Sequence, residues 1–283
     1  MIFEPHPSGE DLHSAYTLAE HKKLEECGGK FKLKGYAPHI GLLYEPCDER
    51  TPCPPRVSLY ARMGLHRYNL LKGRKFELNR VDHYVKSVGS AASTYFMTLY
   101  AMDMEGGGAS LPPETCFEIA VSEYSANCFI LFCSIARIQG EEDQTKRRRK
   151  DKDTRLPEWP PVNPLYVVEK SEVQENDEWI RLYVELAVTF DFPPSRGEGD
   201  IEILDVSMDR MDEGLDAKNA TFYISYKYSD DAWLGKRCHH RIAAVRRSFD
   251  EDSGNFSLVG AILPKEGAQE RPLFPNLFGV ENN

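Results

Sequence analysis

The sequence has no run of 18 apolar residues, which excludes a membrane-spanning helix. Positive charge is in short supply: 35 Lys and Arg stand against 45 Asp and Glu. The resulting net charge of -10 sets the surface against nucleic acid and anionic membrane as partners. Cysteine is sparse, with Cys27, Cys47, Cys53, Cys116, Cys128, Cys133 and Cys238 widely spaced. An odd count in a chain of 283 residues is no disulfide framework, and reduced thiols are expected. The opening MIFEPHPSGEDLHSAY has neither the basic start nor the apolar core of a secretory signal, so the expected location is cytoplasmic or nuclear. G-x-S-x-G is missing, and the glycines at 106–108 lack the Lys and helix that would make a P-loop. With 41% hydrophobic and 28% charged residues, the composition is that of a folded globular protein.

Composition divides the chain into five stretches. Residues 1–56 are rich in Pro, Gly and charge, and are expected to be irregular. Residues 57–140 form a first structured block, and 141–164 a charged, Pro-rich linker. Residues 165–263 form a second block, and 264–283 a loosely held tail. In the first block, Val57, Ala61, Leu65, Tyr68 and Leu71 recur at helical steps. Ser58 is placed to cap that helix and Gly73 to stop it. Strands are expected at KFELNRVDHYVKSV, STYFMTLYAMD, ETCFEIAVSEYS and NCFILFCSIARI. The second block runs in the same order. Trp179, Leu182, Tyr183, Leu186 and Phe190 define a helix over 171–190, with Ser171 and several carboxylates at its start. Four strands follow, the last two joined by a turn at Asp252-Ser253-Gly254-Asn255. Both faces of the 94–102 strand are apolar, with Tyr95, Met97 and Leu99 on one and Phe96, Tyr100 and Met102 on the other. Covering the second set against the other block favours one two-lobed unit.

Several segments resemble a known family: LYARMGLHRYN, LNRVDHYVKS, AASTYFMTLYAMD, LPEWPPVNP, ENDEWIRLYVELA and RIAAVRRSF. Together, over residues 35–263, they resemble the plant-specific male-sterile-five and embryo-defective-like proteins. The resemblance implies a plant protein tied to reproductive or embryo development, and brings no catalytic residues. More distantly, residues 58–103 resemble plant cystatins, inhibitors of papain-type proteases. That likeness implies an α+β fold of two cystatin-like lobes, each a helix packed on an antiparallel sheet. It also implies a protease-facing loop at Val88, Gly89, Ser90, Ala91 and Ala92. Cystatins carry there a glutamine-any-valine-any-glycine segment, with a tryptophan in a later hairpin. This chain has neither that segment in register nor a tryptophan at Tyr124-Ser125-Ala126-Asn127. The fold is thus implied more strongly than the inhibitory site.

Other residues offer chemistry of their own. Lys146, Arg147, Arg148, Arg149 and Lys150 read as a nuclear import signal, as a local site for an anionic partner, or as a solvated linker, with flanking acids neutralising much of the charge. Trp159, between prolines, serves either to pin the linker by packing or to anchor a partner. Cys47 and Cys53, with Cys27 and His39, lack the two-to-four-residue ligand spacing of structural zinc and read as isolated thiols. Cys238-His239-His240 reads as the start of a strand. Of Asp103, Glu118, Asp205 and Asp209, in or beside strands, most are expected to face solvent. The sequence therefore points to a non-catalytic interaction or regulatory protein with an unidentified protein partner, no cofactor and no metal. Cystatin-type inhibition is the alternative, and an enzyme with an unmarked site is the third reading.

Overall fold

One order of elements occurs twice along the chain. The first occurrence runs α1 (Gly9–Glu26), β1 (Leu42–Pro46), α2 (Pro55–Lys72), β2 (Phe76–Ser87), β3 (Thr94–Asp103), β4 (Glu114–Glu123) and β5 (Ile130–Ile138). The second runs β6 (Tyr166–Val167), α3 (Lys170–Glu175), α4 (Asp177–Asp191), β7 (Asp200–Met208), β8 (Ala220–Ala232), β9 (Gly235–Asp250) and β10 (Asn255–Leu263). Each holds a short edge strand, a helix, and a four-stranded meander. The computed structural model describes residues 9–105, 114–124, 128–141, 154–157, 166–191, 200–209, 214–232, 235–251 and 253–263, with the backbone alone for 9–12 and 230–239.

All ten strands belong to one antiparallel sheet, in the order β1-β2-β3-β4-β5-β10-β9-β8-β7-β6. The last strands of the two halves pair at its centre, with Phe256 opposite Cys133 and Val259 opposite Ile130. The architecture is α+β, as expected. The two helix-on-sheet units are halves of one sheet, not separate lobes. Both helices lie on the same face, where one continuous cluster includes Met63 and Leu65 of α2, Ile180 and Leu186 of α4, and residues from both meanders.

Local chemistry explains the helix limits. Pro55 takes the first helical position of α2, where its missing N–H costs nothing, and Gly73 closes the helix at φ 60°. Ser58 is not the cap: it lies a turn inside and donates to Cys53 Sγ at 3.4 Å. Glu169 and Glu172 form a reciprocal capping box at the start of α3. The helix expected over 171–190 is two helices, divided at Asn176, whose side chain donates to the Glu172 carbonyl at 2.9 Å.

Phe76 and Leu78 share the helix-facing side of β2 with Val81 and Tyr84, a spacing that simple alternation forbids. Register shifts at Leu78/Arg80 and Val81/His83 restore the phase and bend the strand. An equivalent shift at Ile203/Asp205 bends β7, the first strand after the helix of the second half. The curling explains why α2 is buried nearly all round from Leu59 to Tyr68, far beyond the one stripe its periodicity marks.

The opposite side of β3 is covered by the N-terminal segment rather than by the second half. Phe31 packs edge-on against Phe96 at 5.7 Å, and Leu33, Ala37 and Leu42 bury Val85. His83 Nε2 and Phe31 O lie 2.9 Å apart, tying this layer to β2. The residues expected to be irregular thus include α1, β1 and a second layer. Further along, Arg80 lies over the Tyr100 ring at 3.9 Å.

Gly64 marks the closest approach of α2 to the sheet. A Cβ there would stand 2.3 Å from Ile119 Cγ2 and 2.6 Å from its Cδ1. Isoleucine is stiff at χ1, so overpacking outweighs the roughly 1 kcal/mol that alanine gains over glycine in a helix. Gly64→Ala is expected to lower the unfolding free energy by about 1–2 kcal/mol in urea titration.

Candidate functional site

Two places among the described residues stand out as candidates for binding. The first is a cleft of about 490 Å³ between the C-terminal end of α2 and the start of α4, lined among others by His66, Arg74, Glu178, Trp179, Asp216 and Arg247. Arg247 rises from β9 and is fully buried. Its Nε donates to the Ala217 carbonyl at 2.9 Å, and Nη2 donates to those of Leu215, at 2.6 Å, and Ala217. Its guanidinium lies 5.1 Å from the Trp179 ring centre and 4.8 Å from that of Phe222. Among the described residues no carboxylate stands within ion-pair distance of it.

His66 completes this cluster. Its Nε2 lies 3.4 Å from Arg247 Nη1 and 3.0 Å from the Tyr183 hydroxyl. Guanidinium only donates, so Nε2 is the acceptor and the ring proton sits on Nδ1. Burial, then the neighbouring Arg247 charge, hold the imidazole pKa well below the usual value. Burial also raises the Tyr183 hydroxyl to about 12. The one basic lone pair of His66 is already engaged by two donors. The arrangement is chemically a clasp between α2, α4 and β9.

The second place is one end of the first half. The Gly41 carbonyl accepts from Val88 N at 2.8 Å, and the Ser93 carbonyl accepts from Glu123 N at 2.9 Å. These bonds stitch three segments side by side: the chain before β1, the β2–β3 turn and the end of β4. Gly41 is required here, since a Cβ would meet the Val88 carbonyl oxygen at 2.8 Å. Glu123 is buried below and accepts from the Tyr60 hydroxyl at 2.7 Å, which anchors this end to α2. Val88 and Tyr124 are exposed at this end, at 36% and 54%. The expected loop, Val88 through Ala92, is therefore the exposed tip of the β2–β3 hairpin, with Gly89 at φ 97°.

The other sequence candidates fare differently. Lys146, Arg147, Arg148, Arg149, Lys150 and Trp159 lie outside the described residues, as does Asn127 of the second hairpin. Asp103 and Glu118 are buried, not solvent-facing, and pair with Arg74 and with Arg137 (2.6 Å). Cys27 donates to the Leu24 carbonyl while His39 pairs with Glu20, so neither joins Cys47. Cys47 and Cys53 are not isolated: each is the main influence on the other's thiol. Among the described residues no group of three His, Cys, Asp or Glu is arranged to hold a metal. Sequence reasoning passed over His66, Arg67 and Arg247, although polar residues inside apolar helix and strand periods were a signal.

Fold and surface together define an α+β protein in which one long antiparallel sheet carries a helix pair, with a hairpin end open to solvent. A family model described as Protein MS5 matches residues 156–258. UPF0725 protein At3g25080 of Arabidopsis thaliana is 47% identical over 156 residues, spanning 51% of this chain and 87% of that relative. UPF0725 protein At3g19520 of the same plant is 34% identical over 239 residues, 74% of this chain and 73% of its own. The crystal structure of MS5 from Brassica napus superposes with a TM-score of 0.59 at 29% identity, over 75% of this chain and all of that one. This chain belongs to the MS5 family of uncharacterised plant proteins, as its sequence segments implied.

The clasp gives stability a pH dependence. The folded imidazole of His66 stays neutral, while the unfolded one takes up a proton below about pH 6.5. The unfolded state then binds more protons, so this contribution is complete above that value and falls as the pH drops beneath it. The expected slope reaches about 1.4 kcal/mol per pH unit. Urea titrations between pH 7 and pH 5 are expected to show a shallower loss for His66→Gln, which keeps an acceptor but does not titrate.

Proposed function

We propose that this protein is a non-catalytic interaction module of regulatory type that docks a protein partner on the end formed by Val88 and Tyr124. One observation carries the reading: three backbone-stitched segments hold these apolar side chains exposed above a buried Tyr60–Glu123 support. Exposed aromatic residues on a fixed backbone supply binding area at low entropic cost. The spent lone pair of His66 favours interaction over catalysis in the helix cleft. Free thiols suit a cytoplasmic or nuclear setting. Reproductive or embryo development is the process we assign, on the family resemblance.

A second reading, cystatin-type inhibition, is favoured by topology. An edge strand, a helix and a four-stranded meander place the β2–β3 and β4–β5 turns at the same end, where cystatins carry their wedge. The absent glutamine and tryptophan place it second.

The immobilised chain, exposed to plant-tissue extract, is expected to retain a specific protein in near-equimolar amount. Val88→Asp combined with Tyr124→Ala is expected to weaken that capture roughly tenfold or more. Capture that this pair of substitutions leaves unchanged would contradict the docking end. The same preparation, tested against papain with a peptide substrate, decides the second reading: slowed cleavage at micromolar protein supports it and unaltered cleavage ends it.

A further inference from the structure

The segment between β1 and α2 folds back on itself. Cys47 N donates to the Asp82 carbonyl of β2 at 2.9 Å, fixing the first cysteine to the sheet. Asp48 N then donates to the Thr51 carbonyl at 3.0 Å, while Asp48 Oδ1 accepts from the amides of Arg50 and Thr51, both at 2.8 Å. The closed turn delivers Cys53 to the entrance of α2, one residue before its Pro54 cap. Both cysteines are half-buried against the main core, the turn makes them neighbours, and Ser58 Oγ donates to Cys53 Sγ at 3.4 Å.

We propose that Cys47 and Cys53 are a reversible dithiol site, oxidised by a hydroperoxide to a disulfide that staples the end of β1 to the start of α2. The surroundings divide the roles. The neighbouring Cys47 thiol pulls the Cys53 thiol down to about 7, with Ser58 assisting against burial. The adjacent helix entrance also favours a thiolate. Cys47 is pushed the other way, by the neighbouring Cys53 thiol, by burial and by the charges of Asp82 and Asp48. Cys53 is therefore the attacking thiolate and Cys47 the resolving thiol.

Thiolate Sγ of Cys53 attacks one peroxide oxygen and the O–O bond breaks. The leaving oxygen departs as water after taking a proton, and Cys53 becomes a sulfenic acid. Cys47 sulfur then attacks Cys53 sulfur, the S–O bond breaks, and the second oxygen leaves as water with the Cys47 proton. Two thiols lose two electrons in all, and one peroxide becomes two waters. The other described cysteines lack such a partner: Cys133 is buried and its thiol raised to about 11 by that burial, while Cys27 bonds backbone carbonyls.

The test uses the full chain with hydrogen peroxide near stoichiometry, followed by alkylation and non-reducing peptide mapping. The expected product is a peptide in which Cys47 and Cys53 are linked, with Cys53 losing alkylation before Cys27 or Cys116 and dithiothreitol restoring both thiols. In Cys47→Ser, which removes the resolving thiol, a dimedone adduct is expected to accumulate on Cys53 severalfold over the unsubstituted chain. The proposal is overturned if Cys53 oxidises no faster than Cys27 and Cys116. It is equally overturned if the unsubstituted chain carries Cys53 to sulfinic acid without a linked peptide.

Discussion

Two buried guanidinium groups, each reaching across the central seam of the sheet, are the constraint around which this protein is organised. Arg247, on a strand of the second half, meets His66 on the helix of the first. Arg67, on that same helix, donates to the Gly254 carbonyl in the last turn of the second half at 2.6 Å. Neither has a carboxylate within ion-pair distance among the described residues. A buried cation is tolerable where most of its donors are satisfied and its desolvation is offset. Here backbone carbonyls accept from both groups, with Arg67 Nε left without a partner among the described residues, and the rings of Trp179 and Phe222 supply a polarizable wall for Arg247. These partners coincide only when both helices sit on one sheet in the observed order. Displacing either half strands a charge in the core, so the clasp turns two repeated units into a single body.

The rest of the architecture follows. The strands after each helix are bent by bulges, which lets the sheet close around α2 and α4 and bury nearly every side of α2. Bending leaves the reverse face of the first half to be covered separately. The N-terminal segment does this through Phe31, Leu33 and Ala37, and residues near 156 do the same over the central seam, where Leu156 packs on Ile130, Phe132 and Val259. Among the described residues, Val88 and Tyr124 stay exposed at the end that the stitched segments form.

Much of this was legible in the sequence because it follows from periodicity. Both helix positions, the strands of both meanders and the Gly73 stop came from local pattern alone, and the shared order of the two blocks pointed to a repeat. The family was legible from segments such as LYARMGLHRYN and ENDEWIRLYVELA. What eluded pattern reading was set by long-range contact. Nothing in a Pro- and Gly-rich opening stretch says that Phe31 lies on Phe96, because its apolar residues are too few and too irregular to show a period. His66 and Arg247 look like surface residues by type, and only the fold shows their donors and acceptors meeting. Cys47 and Cys53 miss the spacing of a metal motif, yet the Asp48 turn closes the gap that spacing leaves open. Of the exposed end, the Val88–Ala92 loop was marked by resemblance, whereas the chain before β1 joins it only through pairing around Gly41.

Native-state hydrogen exchange, resolved strand by strand, tests most directly whether the clasp makes one body of the two halves. Amides in the cores of β3 and β4 and those in β8 and β9 are expected to exchange with a common opening free energy equal to that of global unfolding. Two plateaus, with one meander remaining protected after the other has exchanged, would contradict the account.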